Sequence, residues 1–465
     1  MKCSHTTRFA RLCAAFAAVA ALVSCGSGGS GGSPPQPPSP DVPLDLATPG
    51  EAVVKLQANA GAILLLEERV APIAQPIPVR RLVQLGSDGS EAGTYSPPAG
   101  WSLIDCALHP SGEASAVIAT NRDVKLVRVD RHAQPIAETQ VFDNLASTDP
   151  FYDTGGIHDD TSLLTYFTRD AVRVAAVGEE IALALRTGRN AVVAYRFGYS
   201  TASAYVALWR SLVEPGVSLF PIGLTGGTFD VFGALQNHWH VLLDADATGA
   251  LAVAVFSNPG VAPVIPAHAD HFHEPIAATT GILVTRIGPD GRRLGTTVVD
   301  TARPAEVHGL RLQADEIEVV GRVFSERRAD GTGWNAYVAR VDRASGALRG
   351  YDVLDVDRGD ILFDIVPLAP GRFLVAGAAG YTQNPDGASI PEAMDGLLAI
   401  VESDGTVRQR IAFPAGARQT QVRSIAARGA GWLAGGMTNA PGTHSGDADP
   451  SVIRADGFAR ELALP

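Results

Sequence analysis

Five of the eleven histidines in this sequence are concentrated in two short segments. NHWH carries His238 and His240, and HADHFHEP carries His268, His271 and His273. Residues two apart on a β-strand lie on the same face, so His238 and His240 present two imidazoles side by side. Such pairs suit Zn²⁺ or another divalent metal. The pattern indicates a candidate metal site; the alternative is an exposed polar loop that is rich in histidine by chance.

The elements that must position these histidines belong to a repeat. Seven segments share a short alternating run, a tight turn and a second apolar run, and they start at Val53, Leu103, Val172, His240, His308, Phe363 and Val422. Most are followed by a further strand that ends in an Asp-Gly or Ser-Gly turn, as in GILVTRIGPDG and YVARVDRASG. Glycine accepts the positive φ of such hairpin turns. Each unit is therefore predicted to contain four antiparallel strands, A to D.

Seven such units predict an all-β fold, a seven-bladed β-propeller of four-stranded antiparallel blades. The last three units, with FLVAG and then DGLLAIVESDG, resemble the repeats of bacterial secreted β-propeller proteins, a resemblance that implies fold and not function. A pair of β-sandwiches or a mixed α/β chain is the alternative. Ring closure stays open: the pattern assigns all four strands of the last blade to the C-terminal segment, with a turn in SVIRADG, and Leu44 to Ala47 is an alternative outer strand.

The predicted connections differ in length with their position. A–B and C–D turns are short, whereas B–C and D–A connections are long, as in Ser257 to Thr280, Gly380 to Met394 and Asp143 to Leu163. In a propeller these two kinds of connection lie on opposite faces, and loops on a rigid scaffold often carry function. Both histidine segments belong to the predicted long-loop face, so we expect that face to be the binding face.

The N-terminus predicts export. Basic residues precede the Ala-rich apolar run Leu12 to Val23. At about 1.5 Å per residue this run is too short for a bilayer core of about 30 Å, so it indicates a secretory signal peptide. Leu22 to Cys25, LVSC, resembles the lipobox of bacterial lipoproteins. The resemblance implies cleavage before Cys25, lipidation of Cys25 and, with Gly26 next, residence in the outer membrane.

The sequence thus divides into a signal peptide at 1–24, a lipidated cysteine with a Gly/Ser/Pro-rich linker at 25–50, and a propeller at 51–465. Cys106 is the single cysteine of the predicted mature body, so no intramolecular disulfide is expected. The net charge of −12 does not suit a nucleic-acid partner, which needs a basic surface.

Two functional hypotheses follow. The first is a membrane-anchored envelope lipoprotein whose propeller is a non-catalytic binding or scaffolding module for a protein or glycan, with no cofactor required. The second is a metal-assisted hydrolase or lyase that acts on an envelope or extracellular polymer and uses the histidines to hold a divalent metal.

Overall fold

The computed structural model is antiparallel β-sheet throughout its described part. The structure describes residues 45–69, 79–120, 123–143, 172–186, 192–200, 204–214, 241–257, 281–301, 305–324, 334–354, 356–357, 359–380, 395–411, 420–439, 455–462 and 464. These ranges contain no helix, and hence none that is long and apolar enough to cross a bilayer.

The strands of these ranges form seven four-stranded sheets, the blades. Blade 1 contains β2 (Glu51–Ala58), β3 (Ala62–Arg69), β4 (Arg80–Gly86) and β5 (Glu91–Tyr95). Blade 2 contains β6 (Ser102–Leu108), β7 (Ala114–Ala119), β8 (Asp123–Val129) and β9 (Pro135–Asp143). Blade 3 contains β10 (Val172–Val177), β11 (Glu180–Arg186), β12 (Val192–Ser200) and β13 (Ala204–Glu214). Blade 4 contains β14 (Leu242–Ala245), β15 (Leu251–Ser257), β16 (Gly281–Ile287) and β17 (Arg293–Asp300).

The remaining blades complete the ring. Blade 5 contains β18 (Ala305–Leu312), β19 (Glu316–Phe324), β20 (Trp334–Asp342) and β21 (Leu348–Leu354). Blade 6 contains β22 (Ile361–Ala369), β23 (Arg372–Ala379), β24 (Asp395–Glu402) and β25 (Val407–Arg410). Blade 7 contains β26 (Gln421–Arg428), β27 (Gly431–Asn439), β28 (Ala455–Leu462) and β1 (Asp45–Pro49). The innermost strands contact one another in sequence, and β26 contacts β2, so the predicted seven-bladed β-propeller is confirmed.

Ring closure differs from the main sequence expectation. The outer strand of blade 7 is β1, which pairs antiparallel with β28 from Asp45 opposite Arg460 to Pro49 opposite Asp456. The C-terminal segment therefore supplies three strands of this blade and not four. The first propeller strand also lies before residue 51, inside the segment that the sequence assigned to the linker.

Asp456-Gly457 is the reason that the sequence pattern misleads at this point. The pair reads as a hairpin turn, yet it lies within β28. Gly457 serves close packing, because a Cβ atom there would lie 2.3 Å from the Thr48 hydroxyl oxygen of β1. Its missing side chain lets the N-terminal strand approach and complete the blade.

The core is divided among the junctions between blades. Each pair of neighbouring blades shares its own cluster of buried aliphatic side chains, including the junction of blades 7 and 1. At that junction Val53, Leu56 and Ile63 pack with Leu433 of blade 7. Burying one such side chain contributes about 1.5–3 kcal/mol, so stacking of blades holds the ring together.

Five of the innermost strands carry a β-bulge at the same place in the repeat. The inserted residues are Val54, Ile104, His308, Phe363 and Arg423. A bulge re-aims the side chains that follow it. In four of these blades the next residue is polar, namely Lys55, Asp105, Asp364 and Ser424. The bulges thereby bring polar side chains to the middle of the ring.

Candidate functional site

The ring encloses a central cavity of about 330 Å³ that all seven innermost strands line. Its lining contains a set of charged side chains to which every blade contributes. They are Lys55, Arg80, Asp105, Arg173, Asp244, Arg311, Asp364 and Arg423. We call this cavity the channel. A cavity of this size that contains convergent polar groups is a candidate ligand site.

An ion pair joins blades 1 and 2 across the channel wall. Lys55 Nζ donates to Asp105 Oδ1 at 2.9 Å and to the Val174 carbonyl oxygen of blade 3 at 3.3 Å. The other carboxylate oxygen, Asp105 Oδ2, accepts from the Val174 backbone N–H at 2.9 Å. These contacts tie three consecutive blades together at the channel wall.

A second ion pair joins blades 5 and 6. Arg311 Nη2 donates to Asp364 Oδ1 and Oδ2 at 3.0 and 3.1 Å, and Arg311 Nε donates to the Ile365 carbonyl oxygen at 3.1 Å. Asp364 Oδ2 also accepts from the Ile425 backbone N–H of blade 7 at 2.8 Å. The Arg311–Asp364 pair thus links three consecutive blades on the opposite side of the ring, as the Lys55–Asp105 pair does for blades 1 to 3.

The same kind of bond recurs around the ring. In each case a polar side chain on one innermost strand accepts from a backbone N–H of the next blade. The donors and acceptors are Leu108 to Gln57, Val174 to Asp105, Leu312 to Asp244, Ile425 to Asp364 and Leu56 to Ser424. The channel's acidic groups therefore also satisfy backbone donors that blade packing would otherwise bury.

A third group of charges adjoins the channel in blade 5. Glu306 accepts from Arg322 Nη2 at 2.8 Å and contacts His308 Nε2 at 3.1 Å. Burial opposes ionisation of Glu306, but the charge of Arg322 and hydrogen bonds from His308 and Arg322 outweigh it and hold the Glu306 pKa well below its ordinary value. Glu306 is thus a fixed negative charge.

Two faces of the ring can now be distinguished by strand order. The turn face carries the A–B and C–D turns, and the loop face carries the starts of strands A and C and the ends of strands B and D. In blade 4, Leu242 lies opposite Ala254 and Ser257 lies opposite Gly281. The start of β14, the end of β15 and the start of β16 therefore share the loop face.

The turn face is held by arginines at one repeat position in strand C. Each donates to backbone carbonyl oxygens in a turn of the next blade. Arg128 donates to Glu179, Arg196 to Gly249 and Pro289, and Arg286 to Arg343 and Ala344. These contacts bind the short turns of neighbouring blades to one another and make the turn face a rigid base.

Cys106, the cysteine predicted to stand alone in the mature body, lies in the core between blades 1 and 2. Burial raises the pKa of its thiol to about 12. The thiolate is the reactive form of cysteine, so this thiol is held in its unreactive state at neutral pH.

The predicted metal ligands His238, His240, His268, His271 and His273, and the predicted lipid attachment residue Cys25, lie outside the described residues. Within the described part of the chain, no group of three or more His, Cys, Asp or Glu side chains is arranged to hold a metal ion. The histidine segments flank elements that the structure does describe: one precedes β14 and the other connects β15 to β16.

No protein-family model and no curated protein matches the chain. Among solved structures, it is similar to a protein of unknown function from Bacteroides caccae, with 11% identity over 74% of this chain and 94% of that one, at a TM-score of 0.37. It is also similar to YCF48 bound to D1 peptide (12% identity, 91% and 98% coverage, TM-score 0.44) and to the Dos1 propeller (8%, 90% and 94%, 0.45). At such identities the likeness concerns fold alone.

Proposed function

We propose that this protein is a lipid-anchored lipoprotein of the bacterial cell envelope, held in the outer membrane through Cys25. Its β-propeller acts as a non-catalytic binding module that engages an envelope protein or glycan through the loop face. The observation that carries the proposal is the one-sided arrangement of the ring. Short bonded turns occupy the turn face, and strands joined by the long connections begin and end at the loop face.

The anchor part of the proposal rests on the sequence around Cys25 and on where the propeller begins. β1 starts at Asp45, so a Gly/Ser/Pro-rich segment separates Cys25 from the ring. Gly/Ser-rich chain is flexible and Pro-rich chain is extended, so this segment can hold a globular body away from lipid. Metabolic labelling with a palmitate analogue should label the wild type and not Cys25→Ala; equal labelling of the two would contradict the anchor.

The binding part is tested by removing one loop and leaving the ring. Replacement of residues 258–280 with a short Gly/Ser linker joins Ser257 to Gly281, which are already paired neighbours. We expect the variant to melt cooperatively like the wild type and to lose capture of envelope proteins or glycans. Arg292→Ala, an exposed change in a turn-face turn, is the matched control and should retain capture. Capture that survives the loop replacement and is lost in the control would overturn the proposal.

The second candidate, a metal-assisted hydrolase or lyase, is favoured by the placement of the histidine segments. Both adjoin neighbouring strand ends on the loop face of blade 4, because Leu242 lies opposite Ala254. Convergent imidazoles there would suit Zn²⁺. Elemental analysis after reloading with Zn²⁺ decides the matter: about one metal per chain that is lost in His238→Ala and His240→Ala supports this candidate, and no retained metal contradicts it.

A further inference from the structure

The two ion pairs of the channel wall are asymmetric in exposure. The side chain of Lys55 is 25% exposed and that of its partner Asp105 only 4%. The side chain of Arg311 is 28% exposed and that of Asp364 only 9%. In both pairs the carboxylate is the buried member, so the cation is the member that solvent in the channel meets.

Both cations also retain donor capacity. An ammonium group has three N–H donors, and Lys55 Nζ uses two of them on Asp105 and Val174. Arg311 donates through Nε and Nη2, whereas its Nη1 is not buried and has no hydrogen-bond partner among the described residues. Each cation can therefore bind a further acceptor without giving up the bonds that hold the ring.

The charge balance of the lining points the same way. The lining cations other than Arg80 are Lys55, Arg173, Arg311 and Arg423, and the lining carboxylates are Asp105, Asp244 and Asp364. Arg80 pairs with Glu68 outside the lining. Asp244 is the one lining carboxylate that has no ion-pair partner among the described residues. Burial raises the pKa of Asp244 and so favours its uncharged form. The lining thus carries these four cations against three carboxylates, within a chain of net charge −12.

We propose that the channel binds a small molecule that carries an oxyanion group, a carboxylate or a phosphate, through Lys55 and Arg311. A cavity of about 330 Å³ lies at the small end of the range for small-molecule sites. Charge-assisted hydrogen bonds from an ammonium and a guanidinium are strong and favour oxyanions. This goes beyond the proposed function, because it concerns the channel lumen and not the loop face.

The chain offers an internal control for the test, because its lysines are Lys2, Lys55 and Lys125 alone. Lys125 lies on β8 and pairs with Glu138. Its side chain is 26% exposed, which matches the 25% of Lys55, but it does not line the channel. The two lysines are therefore similar in exposure and each has a carboxylate partner, but only Lys55 lines the channel.

The experiment is lysine acetylation of the full chain, followed by mass spectrometry, at constant ionic strength. Succinate, citrate and inorganic phosphate are the probes, and putrescine is the cationic control. We expect at least one oxyanion to slow acetylation of Lys55 about tenfold and to leave Lys125 unchanged, with putrescine changing neither. The ranking of carboxylates against phosphate then identifies the oxyanion. Absence of protection by every oxyanion, or equal protection of both lysines, overturns the proposal.

A substitution adds an independent reading by calorimetric titration of the protecting anion. Arg423→Gln removes a lining cation without breaking either buried ion pair, and Arg292→Gln removes an exposed arginine from the turn face. Arg423 is not one of the two proposed donors, so loss of its positive charge should weaken only the electrostatic attraction of the anion, with about threefold weaker binding in Arg423→Gln. Arg292→Gln should bind like the wild type. An Arg423→Gln protein that melts cooperatively and binds the anion with unchanged affinity contradicts the proposal.

Discussion

Blades 2 and 5 both place polar residues at the same position of the repeat, but they differ in how those buried polar groups are hydrogen-bonded. In blade 2, Ser115 of strand B lies opposite Arg128 of strand C; in blade 5, Glu318 lies opposite Arg340. All four are buried or nearly so, on faces that pack against the next blade. One junction therefore buries a hydroxyl and the other a carboxyl group beside the arginine.

The junction of blades 2 and 3 satisfies its polar groups. Arg128 Nε donates to Glu113 at 2.6 Å, and the guanidinium also binds the Glu179 carboxylate and carbonyl oxygen. Ser115 Oγ lies 2.6 Å from His109 Nε2 and contacts the Tyr205 hydroxyl. Burial lowers the pKa of His109 despite its bond to a backbone carbonyl, so this junction holds a neutral base.

The junction of blades 5 and 6 leaves polar atoms without hydrogen bonds. Glu318 Oε2 and Arg340 Nε are both buried and have no partner within the described part of the chain. Burial, with the nearby charge of Glu316, raises the pKa of Glu318 to about 8, so this junction holds a neutral acid at pH 7. Polar groups at the same repeat position can therefore be accommodated by complete hydrogen bonding or by a neutral acid, and the two junctions are expected to respond to pH in opposite directions.

Arg128→Met should give the largest effect. It removes a fully buried cation from a bonded network, so that Glu113 and Glu179 both lose their ion pair with the arginine. Breaking a buried pair costs about 3–5 kcal/mol, and the partial exposure of both glutamates reduces this to about 2–3 kcal/mol. Urea unfolding of the wild type and the variant measures it. A change below about 1 kcal/mol would show that the bonds of this junction contribute little.

Glu318→Gln should change the slope of stability against pH. The folded state holds a proton on Glu318 up to about pH 8, whereas an exposed glutamate releases it near its ordinary pKa of 4.5. Stability of the wild type should therefore fall as pH rises through this window, by on the order of 2–3 kcal/mol. Glu318→Gln should flatten that loss and melt higher than the wild type at pH 8. A parallel shift of both curves would contradict the neutral acid.

His109→Gln tests the opposite sign. The folded state keeps His109 neutral below the ordinary histidine pKa of 6.5, whereas the unfolded chain takes up a proton there. Stability of the wild type should fall as pH drops below about 6.5, and His109→Gln should remove that component. Thermal melts between pH 5 and 7 provide the measurement. A variant with the same acid dependence as the wild type would assign that dependence to other groups.

Arg340→Met should give the smallest effect. Its one ion-pair contact among the described residues, to Asp352, is 3.4 Å long, and its Nε is already without a partner there. Replacing a poorly bonded buried cation with an apolar side chain is often close to neutral, so we expect a change below about 1 kcal/mol. Urea unfolding beside Arg128→Met makes the comparison direct. A loss as large as that of Arg128→Met would erase the distinction between the junctions.

The sequence predicts the blades well because the A and B strands are alternating apolar runs joined by tight turns. Ring closure is harder to predict from the sequence. Asp456-Gly457 is typical of a hairpin turn, but in the structure Gly457 allows β1 to approach closely at Thr48. The strand-C arginines had a visible signal, since LVRVD, LVTRIG and YVARVD each place arginine just before a turn. That signal does not identify the partners: Arg128 and Arg286 donate to carbonyl oxygens of the next blade, whereas Arg340 pairs with Asp352 of its own blade.

The channel charges left no comparable signal. Lys55 and Asp105 are far apart in sequence, and a one-residue bulge decides which side chains of the innermost strand reach the channel. Period-two reasoning along a strand fails across such a bulge. That Lys55, Asp105, Arg311 and Asp364 line one channel therefore becomes visible only when the ring is assembled.

Site-specific photo-crosslinking in cells tests directly whether the ring binds its partner through the loop face. Exposed Val79 and Asp395 border B–C connections on the loop face, and exposed Arg292 and Asp404 lie in turns of the opposite face. A photoreactive residue at Val79 or Asp395 should yield crosslinked envelope partners, and one at Arg292 or Asp404 should not. Crosslinks that arise only from the turn-face positions would contradict binding through the loop face.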